Sequence, residues 1–330
     1  MHLNLVTGLA KSKLTRKPFL LSQLLTQQCN LSCPYCIWVD NSKKDQMTTE
    51  QILSFHSEAA ENGFKGCFIW GGEPLLRKDI KEILEHDRKL GWWVTMATNG
   101  TFLKNRAEIV ANNVNELLVS VDIPSEEHDK IRGQSGTFRR CVEGIRAVKA
   151  INPRCRIKIC TVISNLNKHA IKSLAEFAKK EKCQLNLQHI DRNLQRNPGM
   201  MKVEISMEKK KEINKEIIAL KKQGYPIMNS YTYLKQYQNG KNPYSCRSQF
   251  MYFTVWPNGD VNSCSNGSNL GNVLKSSVKE IIDSDIYQAH LNSSSKCTKC
   301  MDSGTWETTH IYSLRPEALV NFMKNLTVKY

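Results

Sequence analysis

Residues 27–38 read QQCNLSCPYCIW, which places Cys29, Cys33 and Cys36 within eight residues and offers no fourth thiol nearby. The stretch follows an apolar run, Phe19–Leu25, that reads as a strand, so the thiols fall in a loop where backbone can wrap an inorganic core. A structural zinc site takes four protein ligands, and three at this spacing fit it poorly. A redox CxxC pair would use only two. A [4Fe–4S] cubane takes one thiolate per iron, so three thiolates leave one iron open to a ligand, which accounts for stopping at three.

Outward from this loop, residues 19 to about 223 alternate short apolar runs with helical periodicity, the pattern of successive βα units over a parallel sheet. Strands are expected at Phe19–Leu25, Lys65–Trp70, Trp92–Ala97, Glu116–Asp122, Arg156–Ile163 and Gln184–Ile190, each followed by a helix. The first such helix opens at Thr48 with Gln51 at capping-box spacing. Cys141 shares a helical stripe with Phe138, Val142, Ile145 and Val148 and reads as core. The run MEKKKEINKEIIALKKQG interleaves Lys with Glu and reads as a solvated helix face. After Gly224 the texture becomes rich in Tyr, Asn, Gly and Pro, as in a connector. MYFTVWPNGDVNSCS then suggests a hairpin about residues 257–260, and Val278–Leu291 a short helix.

The chain has 330 residues, enough for one large α/β unit and a small second one. No apolar run nears the roughly 18 residues of a membrane span, and the N-terminus lacks a signal-peptide pattern, so a cytoplasmic location is expected. Without a secretion signal, twelve cysteines point to metal or cluster ligation rather than a disulfide framework. A net charge of +16 favours an anionic partner. Nucleic acid is disfavoured, because no recognition signature appears and the Lys runs are not set among stacking aromatics. MHLNLVTGLAKSKLTRKPFLL is expected to be a lead-in helix packed on the barrel, with a basic helix on an anionic membrane surface as the alternative.

CNLSCPYC has the CxxxCxxC form of the radical S-adenosylmethionine (SAM) enzymes, and Gly71-Gly72-Glu73-Pro74, at the end of the second expected strand, resembles their GGEP motif. The resemblance implies a partial (β/α)6 TIM-like barrel in which Cys29, Cys33 and Cys36 hold a [4Fe–4S] cluster. The open iron would bind SAM, whose reductive cleavage gives a 5′-deoxyadenosyl radical that abstracts hydrogen from substrate. It implies further that the Tyr35 backbone lies near the adenine and that Gly71, Gly72 and Glu73 hold the SAM amino group. Ser120 and Arg132 would contact the ribose and carboxylate, and Ile163 would pack on the adenine. Asn99 is either a SAM contact or turn chemistry.

Past the connector, Cys246, Cys264, Cys297 and Cys300 could close a zinc site or a fully ligated cubane. Their order, with a hairpin and Gly259 before Cys264, resembles the twitch reduction of the SPASM domain and implies a small α+β unit holding one auxiliary [4Fe–4S] cluster. The expected organisation is a lead-in at 1–18, barrel at 19–224, connector at 225–245, auxiliary domain at 246–304 and tail at 305–330. The expected activity is oxidation, by dehydrogenation or cross-linking, of a peptide or small-molecule substrate, with a flavodoxin- or ferredoxin-type reductant. The alternatives are a redox-neutral epimerase with a cysteine hydrogen donor, for which Cys67 on the second strand is the preferred residue, and a lipid-modifying enzyme at the membrane surface.

Overall fold

The computed structural model describes residues 2–36, 38–42, 45–190, 202–237, 245–262, 264 and 267–327. Part of the expected connector, 238–244, lies outside them. Six parallel strands, β1 (Leu20–Thr26), β2 (Gly66–Gly71), β3 (Trp93–Thr98), β4 (Glu116–Ser120), β5 (Arg156–Ile163) and β6 (Gln184–His189), alternate with helices as the periodicity requires. The helix Thr49–Glu61 opens on the capping box read from Thr48 and Gln51. The sheet does not close, and the chain has the partial (β/α)6 barrel expected.

The second unit continues this sheet instead of building one of its own. β7 (Tyr252–Val255) pairs in parallel with β1, then β8 (Asp260–Asn262) and β9 (Asn269–Asn272) follow antiparallel, giving the order β6-β5-β4-β3-β2-β1-β7-β8-β9. β9 is not apparent in the sequence because its four residues, NLGN, carry a single apolar side chain.

Parity along the strands separates two faces. On β5 the buried positions Ile157, Ile159, Thr161 and Ile163 alternate with half-buried Lys158, Cys160 and Val162, and β2 to β4 carry the same alternation. A parallel sheet covered on both sides would bury both sets. Here the helix layer covers one face, and the concave inner face keeps partial access to solvent.

Within 305–327, a stretch expected only as part of a tail, the chain forms two helices that fill the open side of the barrel. Ser303–Tyr312 begins beside β6, where the Ser303 hydroxyl donates to Gln188 Oε1 at 3.0 Å and accepts from Asn186 Nδ2 at 3.2 Å. It ends at the segment entering β7, where Tyr312 stacks on Phe250 with ring centroids 5.3 Å apart. Across this opening Trp306 is fully buried. Pro316–Thr327 packs along the connector, and residues 226–228 cover the outer edge of β6 through Leu185 N to Pro226 O and Met228 N to Leu185 O.

The N-terminal helix His2–Thr15 lies against this same end. Ser12 donates to Phe250 O at 2.6 Å, and a Cβ at Gly8 would come within 2.4 Å of the Phe19 ring. Of the basic residues there, Lys13 lies over Tyr312, Arg16 over Phe250, and Lys17 pairs with Asp283. These contacts favour the lead-in helix over the membrane-surface one. No helix among the described residues is long and apolar enough to cross a membrane.

β6 ends at buried His189, whose Nε2 lies 2.8 Å from Asn214 Oδ1 and whose ring meets Tyr237 edge-on at 4.9 Å. Burial pushes its pKa down to about 4. The unfolded chain therefore takes up a proton between pH 6.5 and 4 that the native chain refuses. The stabilisation is present above the unfolded pKa and is lost as pH falls through this window, about 3 kcal/mol at the limit. His189→Gln is expected to flatten the fall in urea midpoint between pH 7 and 4.5. An unchanged slope would contradict a neutral buried ring.

Candidate functional site

The site grows from the loop after β1. Pro34 and Tyr35 occupy the centre of a turn closed by Cys36 N to Cys33 O at 3.1 Å, a position for which proline is preorganised. Cys29, Cys33 and Cys36 are half-buried thiols. Donors point at two of the sulfurs: Leu31 N at 3.5 Å and Asn99 Nδ2 at 3.6 Å to Cys29, and Arg132 Nη1 at 3.7 Å to Cys33. Burial raises the Cys29 thiol to about 11 and raises Cys33 as well, with Arg132 drawing the latter back. Loading iron would thus release protons here. Three thiols on one loop, already supplied with N–H donors to sulfur, fit a cluster held by three thiolates.

The GGEP segment braces this loop. Gly71 has φ +139°, and a Cβ there would meet Thr26 O at 2.3 Å; one on Gly72 would meet Gln28 O at 2.1 Å. The close approach is to the cysteine loop itself, through Gly72 N to Thr26 O (2.7 Å) and Glu73 N to Gln28 O (2.9 Å). Glu73 is fully buried and accepts from Leu75 N, Thr98 Oγ1 and Asn99 N at 3.0, 2.9 and 2.7 Å. Burial lifts its pKa to about 7 against the pull of these donors. Asn99, whose turn and ligand readings were equally open, reaches Asn30 Oδ1 at 3.0 Å as well as Cys29. It therefore ties the end of β3 to the cysteine loop.

Beneath Cys33 lies a buried charged group that sequence reading largely missed. Asp122 Oδ2 accepts from Tyr35 Oη at 2.7 Å and pairs with Arg132 Nε at 2.7 Å. Asp122 N donates to His128 Nδ1 at 3.0 Å. Asp122 Oδ1 is buried with no hydrogen-bond partner, free to accept from the amino or hydroxyl group of a bound ligand such as SAM. The resemblance implied roles for Arg132 and Ser120; the partnership of Asp122 and Arg132 with Tyr35, far away in sequence, was the hidden part.

Two expected residues face the wrong way. Cys67 shares its strand face with Ile69, opposite Val94, and is buried in the helix-side core; strand parity excludes it from the inner face, so it is withdrawn as a hydrogen donor. Ile163 likewise joins Ile157 and Ile159 in that core at 1% exposure, and its neighbour Val162 looks inward. Ser120 and Cys160, opposite one another on β4 and β5, are half-buried on the inner face. At the other side of that face, Trp70 meets Trp38 edge-on at 4.8 Å, and Trp38 meets Trp256 at 6.1 Å. Trp70 lies near the end of β2 and Trp256 directly follows β7, the two strands that flank β1, and this aromatic wall was not anticipated.

Three of the second cysteine set come together, Cys246, Cys264 and Cys297. Cys246 N donates to Cys297 O at 2.8 Å, and Cys246, raised to about 11 by burial, feels the charges of Cys297 and Cys264. Cys264 follows β8, in the hairpin that borders β1. With Cys300 three residues on from Cys297, four thiols would suffice for a cluster with every iron capped by protein.

Residues 24–178 match the profile of the radical SAM superfamily, and residues 246–301 match that of the SPASM iron–sulfur cluster-binding domain. The profile is of the larger SPASM type, although no cysteine follows Cys300. The chain is 37% identical over 174 residues to the AdoMet-dependent heme synthase of Methanosarcina barkeri, covering 50% of this chain and 48% of that protein. It is 32% identical over 169 residues to the GTP 3′,8-cyclase of Campylobacter jejuni, covering 49% and 52%. The chain thus spans about half the length of the curated relatives it matches. Streptococcus suis SuiB bound to its precursor peptide SuiA shares the fold with a TM-score of 0.69 at 17% identity, over 87% of this chain and 69% of that one. Native anSMEcpe with bound AdoMet and Cp18Cys peptide does so with a TM-score of 0.69 at 17% identity, over 92% and 99%. With the two profiles falling in chain order on the two cysteine-bearing parts of one sheet, this protein belongs to the radical SAM superfamily of enzymes and carries a SPASM-type domain, its cofactors being SAM and [4Fe–4S] clusters.

Proposed function

We propose that this enzyme cleaves SAM reductively at the Cys29–Cys33–Cys36 loop and oxidises a peptide substrate seated on the inner face of the partial barrel. Bound there, SAM and its cluster supply the power to abstract hydrogen. The protein's part is to hold the cluster on three thiolates, to donate N–H groups to Cys29 and Cys33, and to present the ends of β2, β3 and β4 beside it. The Gly71–Glu73 backbone, Asn99, Ser120 and the free oxygen of Asp122 are the groups nearest at hand for SAM. The observation that carries oxidation is the placement of the second cysteine set: Cys246 precedes β7 and Cys264 follows antiparallel β8, so both fall at the Leu20 end of β1, across the barrel from the loop that follows Thr26. A substrate seated on the inner face lies between the two sets, so its electron has an acceptor on the far side and its proton passes to solvent. The peptide reading draws support from the wide inner face and from the peptides named with SuiB and anSMEcpe. A flavodoxin- or ferredoxin-type protein is the expected reductant.

A second reading, redox-neutral epimerisation, is favoured by Cys160, which occupies the inner face that Cys67 does not. Its thiol is hydrogen-bonded by Asn186 and held near 11 by burial. Anaerobic incubation in D2O with peptide and metabolite fractions of host cells separates the two. Oxidation gives a product lighter by two hydrogens, and Cys297→Ala is expected to leave SAM cleavage while abolishing that product. Epimerisation gives a product heavier by one deuterium that disappears in Cys160→Ala. Full turnover of Cys297→Ala would remove the auxiliary cluster from the reaction.

A further inference from the structure

The resemblance assigns Arg132 to the SAM carboxylate; the geometry adds a contact to the cysteine loop itself. We propose that Arg132 is a positioning residue for the cluster of Cys29, Cys33 and Cys36: it donates to the Cys33 sulfur and, balanced by Asp122, sets the reduction potential of that cluster. The proposal rests on the reading of Cys33 as an iron ligand.

Arg132 is the last residue of the helix Glu127–Arg132 and is 8% exposed. Gly133 ends this helix in the left-handed conformation, φ +73°, and a Cβ there would lie 2.5 Å from Ser32 Oγ, so the helix end is pressed against the cysteine loop. The guanidinium is engaged in three directions. Nε pairs with Asp122 Oδ2 at 2.7 Å, Nη1 donates to Cys33 Sγ at 3.7 Å, and the group lies over the Tyr35 ring with its centre 5.9 Å away. Tyr35 donates to the same Asp122 oxygen, which closes the group.

His128 is the other basic side chain beside Asp122, and it cannot share the pairing. Its Nδ1 already accepts from Asp122 N, so it carries no proton toward the carboxylate 3.8 Å away. Arg132 is therefore the counter-charge. With Nε on Asp122 and Nη1 on Cys33, the guanidinium holds both contacts at once and keeps further N–H groups for a ligand carboxylate. Kept in place, the N–H donor and positive charge next to a ligating sulfur favour the reduced, more negative cluster and raise its potential.

The test is an EPR-monitored redox titration of the anaerobically reconstituted full chain, following the cluster signal that responds to SAM. Arg132→Gln is expected to make reduction at least tenfold less favourable, a 59 mV negative shift for a one-electron couple. Asp122→Asn, which leaves the cation uncompensated, is expected to shift the potential the opposite way. Arg132→Lys should recover part of the loss, and with Asp122→Asn it carries the test if Arg132→Gln does not fold. A purely structural role would not give shifts of opposite sign. Unchanged potentials, or shifts in one direction for both residues, overturn the proposal. So does a tenfold loss of SAM affinity in Arg132→Gln at wild-type potential, which would leave Arg132 as a ligand contact alone. A wild-type chain with no SAM-responsive signal would instead sink the three-cysteine reading.

Discussion

Cys36→Ala is expected to lower the iron of the reconstituted chain from about eight to about four per molecule and to abolish 5′-deoxyadenosine formation. Cys36 closes the CPYC turn onto the Cys33 carbonyl through its backbone, so alanine keeps the turn and removes only the sulfur. At Cys29 the sulfur also accepts from Leu31 N and Asn99 Nδ2, so alanine there would remove two loop contacts along with the ligand. With two thiolates left, one iron of the cubane loses its anchor. The second set, Cys246, Cys264, Cys297 and Cys300, is untouched and serves as the internal control. Iron and sulfide analysis alongside chromatographic detection of 5′-deoxyadenosine decides the matter. A variant that keeps both its iron and its SAM cleavage would mean that these three cysteines are not the site.

Chemistry that is local in sequence was legible. The three thiols declare themselves by spacing, and the capping box at Thr48 and Gln51 is present as read. β5 runs over Arg156–Ile163 as expected, because its alternation is unbroken. What failed was the direction of side chains on strands. KGCFIW is apolar on both faces, so nothing in it says whether Cys67 or Phe68 turns inward; the helices packed on Cys67 decide that. Pairings across the chain were equally silent: Tyr35 with Asp122, 87 residues apart, follows from loops meeting at one end of a barrel. The joining of β7 to β1 was hidden for the same reason, since MYFTVWPNGDVNSCS specifies a hairpin and says nothing about the edge it will meet.

The second large effect concerns a part of the chain with no motif. Trp306→Ala is expected to destabilise the protein by about 3–5 kcal/mol, as truncation of a fully buried aromatic does where neighbours cannot collapse. Trp306 has no exposed surface; its ring stacks on His310 at 4.9 Å and meets Tyr233 edge-on at 6.3 Å. Its helix fills the opening between β6 and the entry to β7, and the same helix holds the connector through Glu307, which accepts from Ser230 N at 2.7 Å. The helix N-cap, Asp302, is two residues beyond Cys300. Loss of the anchor should therefore reach the auxiliary set before the loop after β1. In Trp306→Ala the expected pattern is a lower urea midpoint for the apoprotein, reduced iron at the second set, and SAM-responsive iron retained at the first, the reverse of Cys36→Ala. Trp306→Phe should restore most of the stability by refilling the space. If both variants lose iron equally from both sets, the helix is merely one part of a uniformly cooperative core, and the view that it ties the auxiliary cysteines to the barrel fails.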